Sequence, residues 1–290
     1  MGTVEFPLVV GVDGSTASYA ALDWAVDCAA RHGLRLHLVY GSLWERYEGA
    51  VPSGLARPSG QVMAENVVAV AAERAGRRSP EAKITTEVVP EDPVHALLER
   101  GRDAFAVVTG SRGRGEIQGL LLGSVGLAVA ARATCPVVVV RGDQAGLAGS
   151  HQRILLGVGD AEAGDEAVRF AFREAEARDC ALDAVRAWRR PAGQDAGGTA
   201  GPTDTEEERA AAALDAALRE AEAAHAAVKV RRSTVEGPAR SVLLHRSAAA
   251  DLAVIGARRR REPFGLQLSR VAHTLLHHAD CPVAVVPHVE

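Results

Sequence analysis

Residues 135–140 read CPVVVV and residues 281–286 read CPVAVV, so two nearly identical apolar runs lie 146 positions apart. Two pairs of glycines share this offset, one near the start of each copy and one further along: Gly11 with Gly157, and Gly110 with Gly256. Three anchors with a single offset indicate a tandem duplication. The sequence therefore predicts two domains with the same fold.

The length agrees with this duplication, because 290 residues correspond to about two domains of roughly 100–200 residues each. The segment between the copies is rich in glycine, alanine and polar residues, which is typical of a linker. We expect a first domain over residues 1–141, a linker over residues 142–152 and a second domain over residues 153–290.

The overall composition argues against several classes of protein. Hydrophobic residues make up 47% of the chain and charged residues 24%, which is typical of a folded globular protein. The formal net charge of −4 argues against nucleic acid as a partner. No apolar run approaches the roughly 20 residues of a membrane-spanning helix, and residues 1–13 lack the basic segment of a secretory signal. We expect a cytoplasmic protein with no membrane and no nucleic-acid partner.

Each copy alternates strand and helix patterns. In the first copy, Leu8–Val12 is a valine-rich run that ends in Asp-Gly-Ser, and Ala17–Arg31 carries apolar residues at helical spacing. The full order is β-α-β-α-β-α-β-α-β, which predicts a parallel sheet covered by helices on both faces. We therefore predict an α/β fold of two doubly wound, five-stranded parallel sheets with strand order 3-2-1-4-5.

Ligands of doubly wound sheets bind beyond the carboxyl ends of the strands, where the strand order reverses. Here that point lies between the first and fourth strands, so the informative residues are Asp13, Gly110, Gly113, Gly123 and Ser124. Glycines let the backbone approach a ligand closely, and a helix that begins at Ser124 offers free N–H groups to an anion. A carboxylate at a strand end accepts hydrogen bonds from ribose hydroxyls, so the pattern favours a nucleotide. The alternative is a glycine-rich turn with a serine cap and no ligand.

These features together resemble the universal stress protein family: the tandem α/β units, Gly-Val-Asp-Gly-Ser at residues 11–15, the glycine pattern and the closing CPVVVV run. The resemblance covers almost the whole chain and implies the fold of adenine nucleotide alpha hydrolases. In ATP-binding members of the family, the aspartate contacts the adenosine moiety, the glycines and the serine hold the phosphates, and backbone at the end of strand two meets the adenine. The resemblance thus implies ATP, alone or with Mg²⁺, as the ligand. The implied binding residues are Val12, Asp13, Val39, Gly41, Gly110, Gly113, Gly123, Ser124 and Val125.

The second copy departs from this pattern. The positions of Asp13, Gly113, Gly123 and Ser124 are taken by Gly159, Arg259, Ser269 and Arg270. Arg259 adds a long side chain where close approach of the backbone is needed. We therefore expect the nucleotide to bind mainly in the N-terminal domain. The arginines at positions 258–261 have two interpretations, an anion site in a different pose or a solvated loop.

The sequence favours a binding protein over an enzyme. The P-loop pattern GxxxxGK[ST], the hydrolase pattern GxSxG and the metalloprotease pattern HExxH are absent from the sequence. No general base over the phosphates can be named, so we assign no catalytic and no metal-binding residue. We predict an ATP-binding protein of stress response or signalling with at most weak ATPase activity. The alternatives are a slow ATP hydrolase or nucleotidyl-transferring enzyme of the same fold, and an interaction module that the nucleotide gates.

The last strand of each copy, Val137–Val140 and Val283–Val286, is apolar and lies at the edge of its predicted sheet. Exposed edges of this kind template pairing with other strands and are usually covered. We expect the two edges to pair within the chain, and we expect a homodimer that forms through another surface.

Overall fold

The computed structural model describes residues 6–43, 59–111, 123–159, 165–190, 202–257 and 268–288. Contacts divide the chain into two compact units, Met1–Arg141 and Gly142–Glu290. Within the described residues, no helix combines the length and the apolar character that crossing a bilayer requires.

In its described part, the first unit is a five-stranded parallel sheet flanked by helices. Its strands are β1 (Leu8–Gly11), β2 (Leu36–Gly41), β3 (Ile84–Val89), β4 (Ala106–Gly110) and β5 (Val137–Val140). Its helices are α1 (Thr16–His32), α2 (Ser59–Arg78), α3 (Pro93–Arg100), which a 3-10 turn over Gly101–Asp103 follows, and α4 (Ser124–Arg132). The strand order is β3-β2-β1-β4-β5 and every neighbouring pair is parallel, which confirms the predicted fold and order.

The second unit repeats this architecture. Its strands are β6 (Arg153–Gly157), β7 (Ala181–Trp188), β8 (Val230–Glu236), β9 (Leu252–Ala257) and β10 (Val283–Pro287). Its helices are α5 (Gln144–Leu147), α6 (Asp165–Ala177), α7 (Pro202–Ala224), α8 (Ala239–Ser247) and α9 (Arg270–His278). The order β8-β7-β6-β9-β10 is that of the first unit, again with parallel neighbours. The duplication inferred from the sequence is thus present in the fold.

The core of each unit surrounds its sheet, and β5 shows how deeply the strands are buried. This strand consists of four valines, none of which is more than 2% exposed. A continuous apolar run is expected of a parallel strand that is covered on both faces. The apolar run CPVVVV is therefore explained by the position of the strand.

The turn between β1 and α1 sets the position of Asp13. Gly14 has a φ of +81°, a conformation that favours glycine, and it turns the chain out of the sheet. The Ser15 side chain then accepts the N–H of Ser18 at 3.1 Å, which caps the start of α1. Asp13 therefore lies at the carboxyl edge of the sheet, directly before a helix N-terminus.

The predicted linker over residues 142–152 folds as part of the second unit. It contains the short helix α5, and its end is held by the buried carboxylate of Asp251. This carboxylate accepts the backbone N–H of His151 at 2.9 Å and that of Arg153 at 3.2 Å. Hydrogen bonds to a buried charge fix a segment firmly, which composition alone does not reveal.

An ion pair joins β3 to α3 in the first unit. Arg100 donates from Nη2 and Nε to the two carboxylate oxygens of Glu87 at 2.7 and 3.0 Å, and His37 Nε2 lies 3.0 Å from the same carboxylate. The hydrogen bonds from Arg100, with a smaller effect of His37, lower the pKa of Glu87 to about 2. The pair therefore stabilises the folded unit wherever Glu87 is ionised.

We expect Glu87→Gln to lower the free energy of unfolding of the first unit by about 1–2 kcal/mol at neutral pH, a value reduced by solvent screening because the carboxylate is 33% exposed. The pKa of Glu87 is lower in the folded chain than its ordinary value of 4.5. The difference between variant and wild type should therefore be complete above that value and shrink as the pH falls toward 2.

Urea unfolding followed by hydrogen exchange at neutral and acidic pH measures this difference unit by unit. The matched control is Glu73→Gln. In the wild type, Glu73 forms an exposed i,i+4 ion pair with Arg77. That pair should contribute less than about 0.5 kcal/mol. Equal losses for the two variants, or a loss for Glu87→Gln that does not change with pH, would contradict the assignment.

Candidate functional site

The end of β4 lies between the first turns of two helices in the first unit. A Cβ on Gly110 would lie 2.6 Å from the carbonyl carbon and oxygen of Ala17 in α1. On the other side, a Cβ on Gly126 in α4 would lie 3.2 Å from Thr109 Oγ1 and 3.5 Å from the carbonyl oxygen of Gly110. Both helices therefore begin at the same point of the carboxyl edge, as a switch point between β1 and β4 requires.

The carboxylate of Asp13 is oriented by the backbone that follows it. Its Oδ1 accepts the N–H of Ser15 at 2.9 Å, while the N–H of Asp13 lies 3.4 Å from the hydroxyl of Ser18. The side chain is partly exposed. An aspartate held in such a turn presents a fixed set of acceptor lone pairs, which suits hydroxyl donors.

Helix α4 begins without a side-chain cap from the described residues. Its N-cap is Gly123, which has no side chain, and the first helical residue, Ser124, is exposed. The N–H of Gly123 donates to the carbonyl oxygen of Ser111 at 2.7 Å, which closes the base of the intervening segment. The N-terminus of this helix therefore lies at the carboxyl edge, and a helix N-terminus favours an anion. Val125 follows in the same turn and is partly exposed.

Three residues of the expected set have roles in packing. Val12 and Val39 are buried at 4% and 1% exposure, and the N–H of Val12 donates to the carbonyl oxygen of Val39 at 3.0 Å. A Cβ on Gly41 would lie 2.8 Å from Cα of Pro93, so this glycine lets α3 approach β2. Any contact of Val12 or Val39 with a ligand would therefore have to use the backbone.

Other residues singled out in the sequence lie outside the described part of the chain. These are Gly113 in the first unit and the arginines at positions 258–261, with Arg259 among them, in the second. The structure brings Asp13, Gly110, Gly123 and Ser124 to one edge of one sheet.

A cavity of about 230 Å³ lies at the corresponding edge of the second unit. Its described lining residues are Gly157, Val158, Gly159, Val185, Arg186, Ala187, Ala239, Leu243, Ile255, Gly256, Ser269 and Val271. Seven of them lie 146 positions after residues of the expected binding set, so that Val158 corresponds to Val12 and Gly159 to Asp13. The cavity is therefore the second copy of the site in the first unit.

The start of α9 differs from the start of α4. Ser269 stands at the position of Gly123, and its hydroxyl accepts the N–H of Ala272 at 3.1 Å. This serine caps the helix from within the protein, so one of its first-turn N–H groups already has an acceptor. The first turn of α9 therefore has one N–H group fewer without a side-chain acceptor than a helix with glycine at its N-cap.

A sequence model of the universal stress protein family matches residues 7–141 and residues 150–287. The chain belongs to the universal stress protein family. A universal stress protein of Mycobacterium tuberculosis is 32% identical over 286 residues, which cover 96% of this chain and 96% of that protein. The family resemblance seen in the motifs is thus confirmed over both units.

Solved structures agree with the universal stress protein fold. A universal stress protein from Archaeoglobus fulgidus has a TM-score of 0.70 at 17% identity and covers 99% of this chain and 100% of that chain. At this identity the likeness concerns the fold alone. A universal stress protein solved in complex with cAMP aligns with this chain at 29% identity and a TM-score of 0.37. The alignment covers 48% of this chain and 98% of the solved protein.

Sequence reasoning missed the cavity in the second unit of this universal stress protein. The motif residues that indicate a site in the first unit are substituted in the second copy, so no motif marks the cavity. The walls of the cavity come instead from apolar residues and from Arg186, which stands at the position of Tyr40. A comparison of every position at the 146-residue offset would have found that exchange of tyrosine for arginine.

Proposed function

We propose that this universal stress protein binds ATP in its first unit. One observation carries the proposal: α4 begins at Gly123 without a described side-chain cap, at the edge where β4 also approaches the turn that holds Asp13. A helix N-terminus of this kind favours phosphate, and the carboxylate is suited to the hydroxyls of a ribose. Ser124 adds a hydroxyl beside the phosphates, and Mg²⁺ can accompany the nucleotide.

The contrast between the two units supports the same proposal. In the second unit a glycine replaces Asp13, and the Ser269 hydroxyl caps α9. Thr109 is only 4% exposed, and its hydroxyl has no partner among the described residues, whereas Ile255 stands at the same position of the second unit. This position therefore carries a polar side chain in the first unit and an apolar one in the second.

The remaining parts of the proposal rest on family membership. We expect the protein to act in stress response or signalling in the cytoplasm, with the nucleotide as a bound regulator.

We also expect a homodimer, which sedimentation with and without ATP would test. Incubation of the complex with Mg²⁺ separates this proposal from slow hydrolysis, because ATP that stays intact for hours excludes a working hydrolase.

Titration of the full chain with ATP tests the proposal. We expect a stoichiometry of about one per chain, with no second site of similar affinity. A stoichiometry of about two with equal affinities, or no binding at millimolar ATP, would overturn the assignment to the first unit.

The variant Gly123→Ser copies the start of α9 into α4 and sharpens this experiment. Its hydroxyl should accept the N–H of Gly126 and compete with the phosphates, which weakens ATP binding by about threefold to tenfold. The fold should not be weakened, because a serine cap is at least as favourable as glycine. The reverse exchange in the second unit, Ser269→Gly, should leave ATP affinity unchanged. Weakened binding in both variants would contradict the assignment.

A further inference from the structure

The cavity of the second unit keeps the position of a ligand site but has a different lining. Its walls include four buried apolar side chains, those of Val158, Val185, Leu243 and Ile255. At about 230 Å³ it is smaller than the roughly 300–1,000 Å³ of pockets that hold drug-sized ligands. The cavity is therefore suited to a small molecule with an apolar body.

Two polar side chains of the first unit are replaced here, and one helix N–H already has an acceptor. Gly159 offers no carboxylate at the position of Asp13, and Ile255 offers no hydroxyl at the position of Thr109. Ser269 directs its hydroxyl to the N–H of Ala272. The ribose of a nucleotide would thus meet fewer suitable partners in this cavity.

Arg186 gives the cavity a positive charge. It is the charged member of the described lining, and its Nη1 donates to the carbonyl oxygen of Gly159. This hydrogen bond runs from the end of β7 to the end of β6 and holds the guanidinium beside the cavity. A guanidinium has five N–H donors in a planar fork, so it can hold this carbonyl and a carboxylate together.

We propose that the cavity of the second unit binds a small carboxylate with an apolar body, such as a medium-chain or aromatic acid. The carboxylate pairs with Arg186, and the body lies against Val158, Val185 and Leu243. Burial of the apolar body supplies the affinity, and the guanidinium selects the anion over a neutral molecule of the same shape. This site is independent of nucleotide binding in the first unit.

Titration calorimetry of the full chain with octanoate, and with octan-1-ol as its neutral counterpart, tests the proposal. Octanoate should bind with a stoichiometry of about one, and Arg186→Gln should weaken its binding by about tenfold or more while leaving octan-1-ol binding unchanged. Glutamine keeps a polar side chain of similar stem length at this partly exposed position, and the melting temperature of the variant shows whether the unit is folded. The matched control is Arg189→Gln, which removes the same charge from an exposed position outside the described lining and should leave octanoate binding unchanged.

A second variant, Ala187→Leu, fills the cavity and should remove the binding of both molecules, while the melting temperature shows whether the unit is folded. No octanoate binding at millimolar concentration, or equal octanoate affinity in wild type and Arg186→Gln, would overturn the proposal. ATP or AMP binding that Ala187→Leu abolishes would also overturn it, because the cavity would then be a nucleotide site.

Discussion

Replacing Gly110 with alanine should destabilise the first unit by about 2–3 kcal/mol. The added Cβ would lie 2.6 Å from the carbonyl carbon and oxygen of Ala17 and 3.0 Å from the backbone nitrogen of Ser18. Both neighbours are backbone atoms of α1, so a rotamer change cannot relieve the clash. The helix or the strand must move, and Asp13 is carried by the turn that begins this helix.

The matched control is Gly76→Ala in α2, where, in the described part of the chain and apart from the helix's own backbone, no atom lies within 4 Å of the added Cβ. Alanine is favoured over glycine in a helix, so this variant should stabilise the same unit by up to about 0.5–1 kcal/mol. Hydrogen exchange of the full chain, resolved by peptide, measures both effects and uses the second unit as an internal reference. Wild-type exchange of the first unit in Gly110→Ala would contradict this packing role.

Gly110 also shows that a sequence motif can identify an important residue without predicting its role. The pattern identifies the glycine, but the sequence does not reveal whether a ligand or a neighbouring helix requires the missing side chain. The contact with Ala17 gives a packing reason that holds without any ligand.

The fold was largely predictable because its signals are local and occur twice. The largely β-branched run over residues 84–89, which Pro90 follows, predicts a strand, and β3 has these bounds, Ile84–Val89. The helix starts were harder to predict. Gly, Pro and Ser at residues 49–60 predict a loop, yet α2 begins at Ser59. Similarly, glycines, prolines and acidic residues over 189–205 predict a loop, yet α7 begins at Pro202. Proline is well tolerated in the first turn of a helix, so it marks a start there and not a loop.

The site was predictable as a location, and less so as a set of contacts. Strand order places Asp13 and Ser124 at one edge, which follows from the alternation of strands and helices alone. The capping of α9 by Ser269 and the bond from Arg186 to Gly159 depend on side-chain conformations across the sheet edge. No local pattern determines such conformations, so the different chemistry of the two units becomes visible only in three dimensions.

If the first unit binds ATP as proposed, Asp13→Asn should weaken the binding by about tenfold to a hundredfold, which corresponds to about 1.4–2.7 kcal/mol for lost charge-assisted hydrogen bonds. Asparagine keeps an Oδ1 that can accept the N–H of Ser15, so the turn before α1 and the stability of the unit should be preserved. Asp13→Ala loses this acceptor as well and should also destabilise the unit by about 0.5–1 kcal/mol. The asparagine variant therefore isolates the contribution of the charge to binding.

If Asp13 contacts the ribose, its substitution should change the selectivity between ATP and its deoxy analogues as well as the affinity. Wild-type protein should prefer ATP over its 2′-deoxy or 3′-deoxy analogue, and Asp13→Asn should reduce that preference, because the hydroxyl has lost its charged acceptor. The matched control is Asp143→Asn, whose carboxylate accepts the N–H of Gly146 at the start of α5. That change removes the same charge from the second unit and should leave ATP affinity and the preference unchanged. If Asp13→Asn lowers the affinity for ATP and for both deoxy analogues by the same factor, Asp13 acts through the turn or through long-range charge, and the ribose contact is wrong.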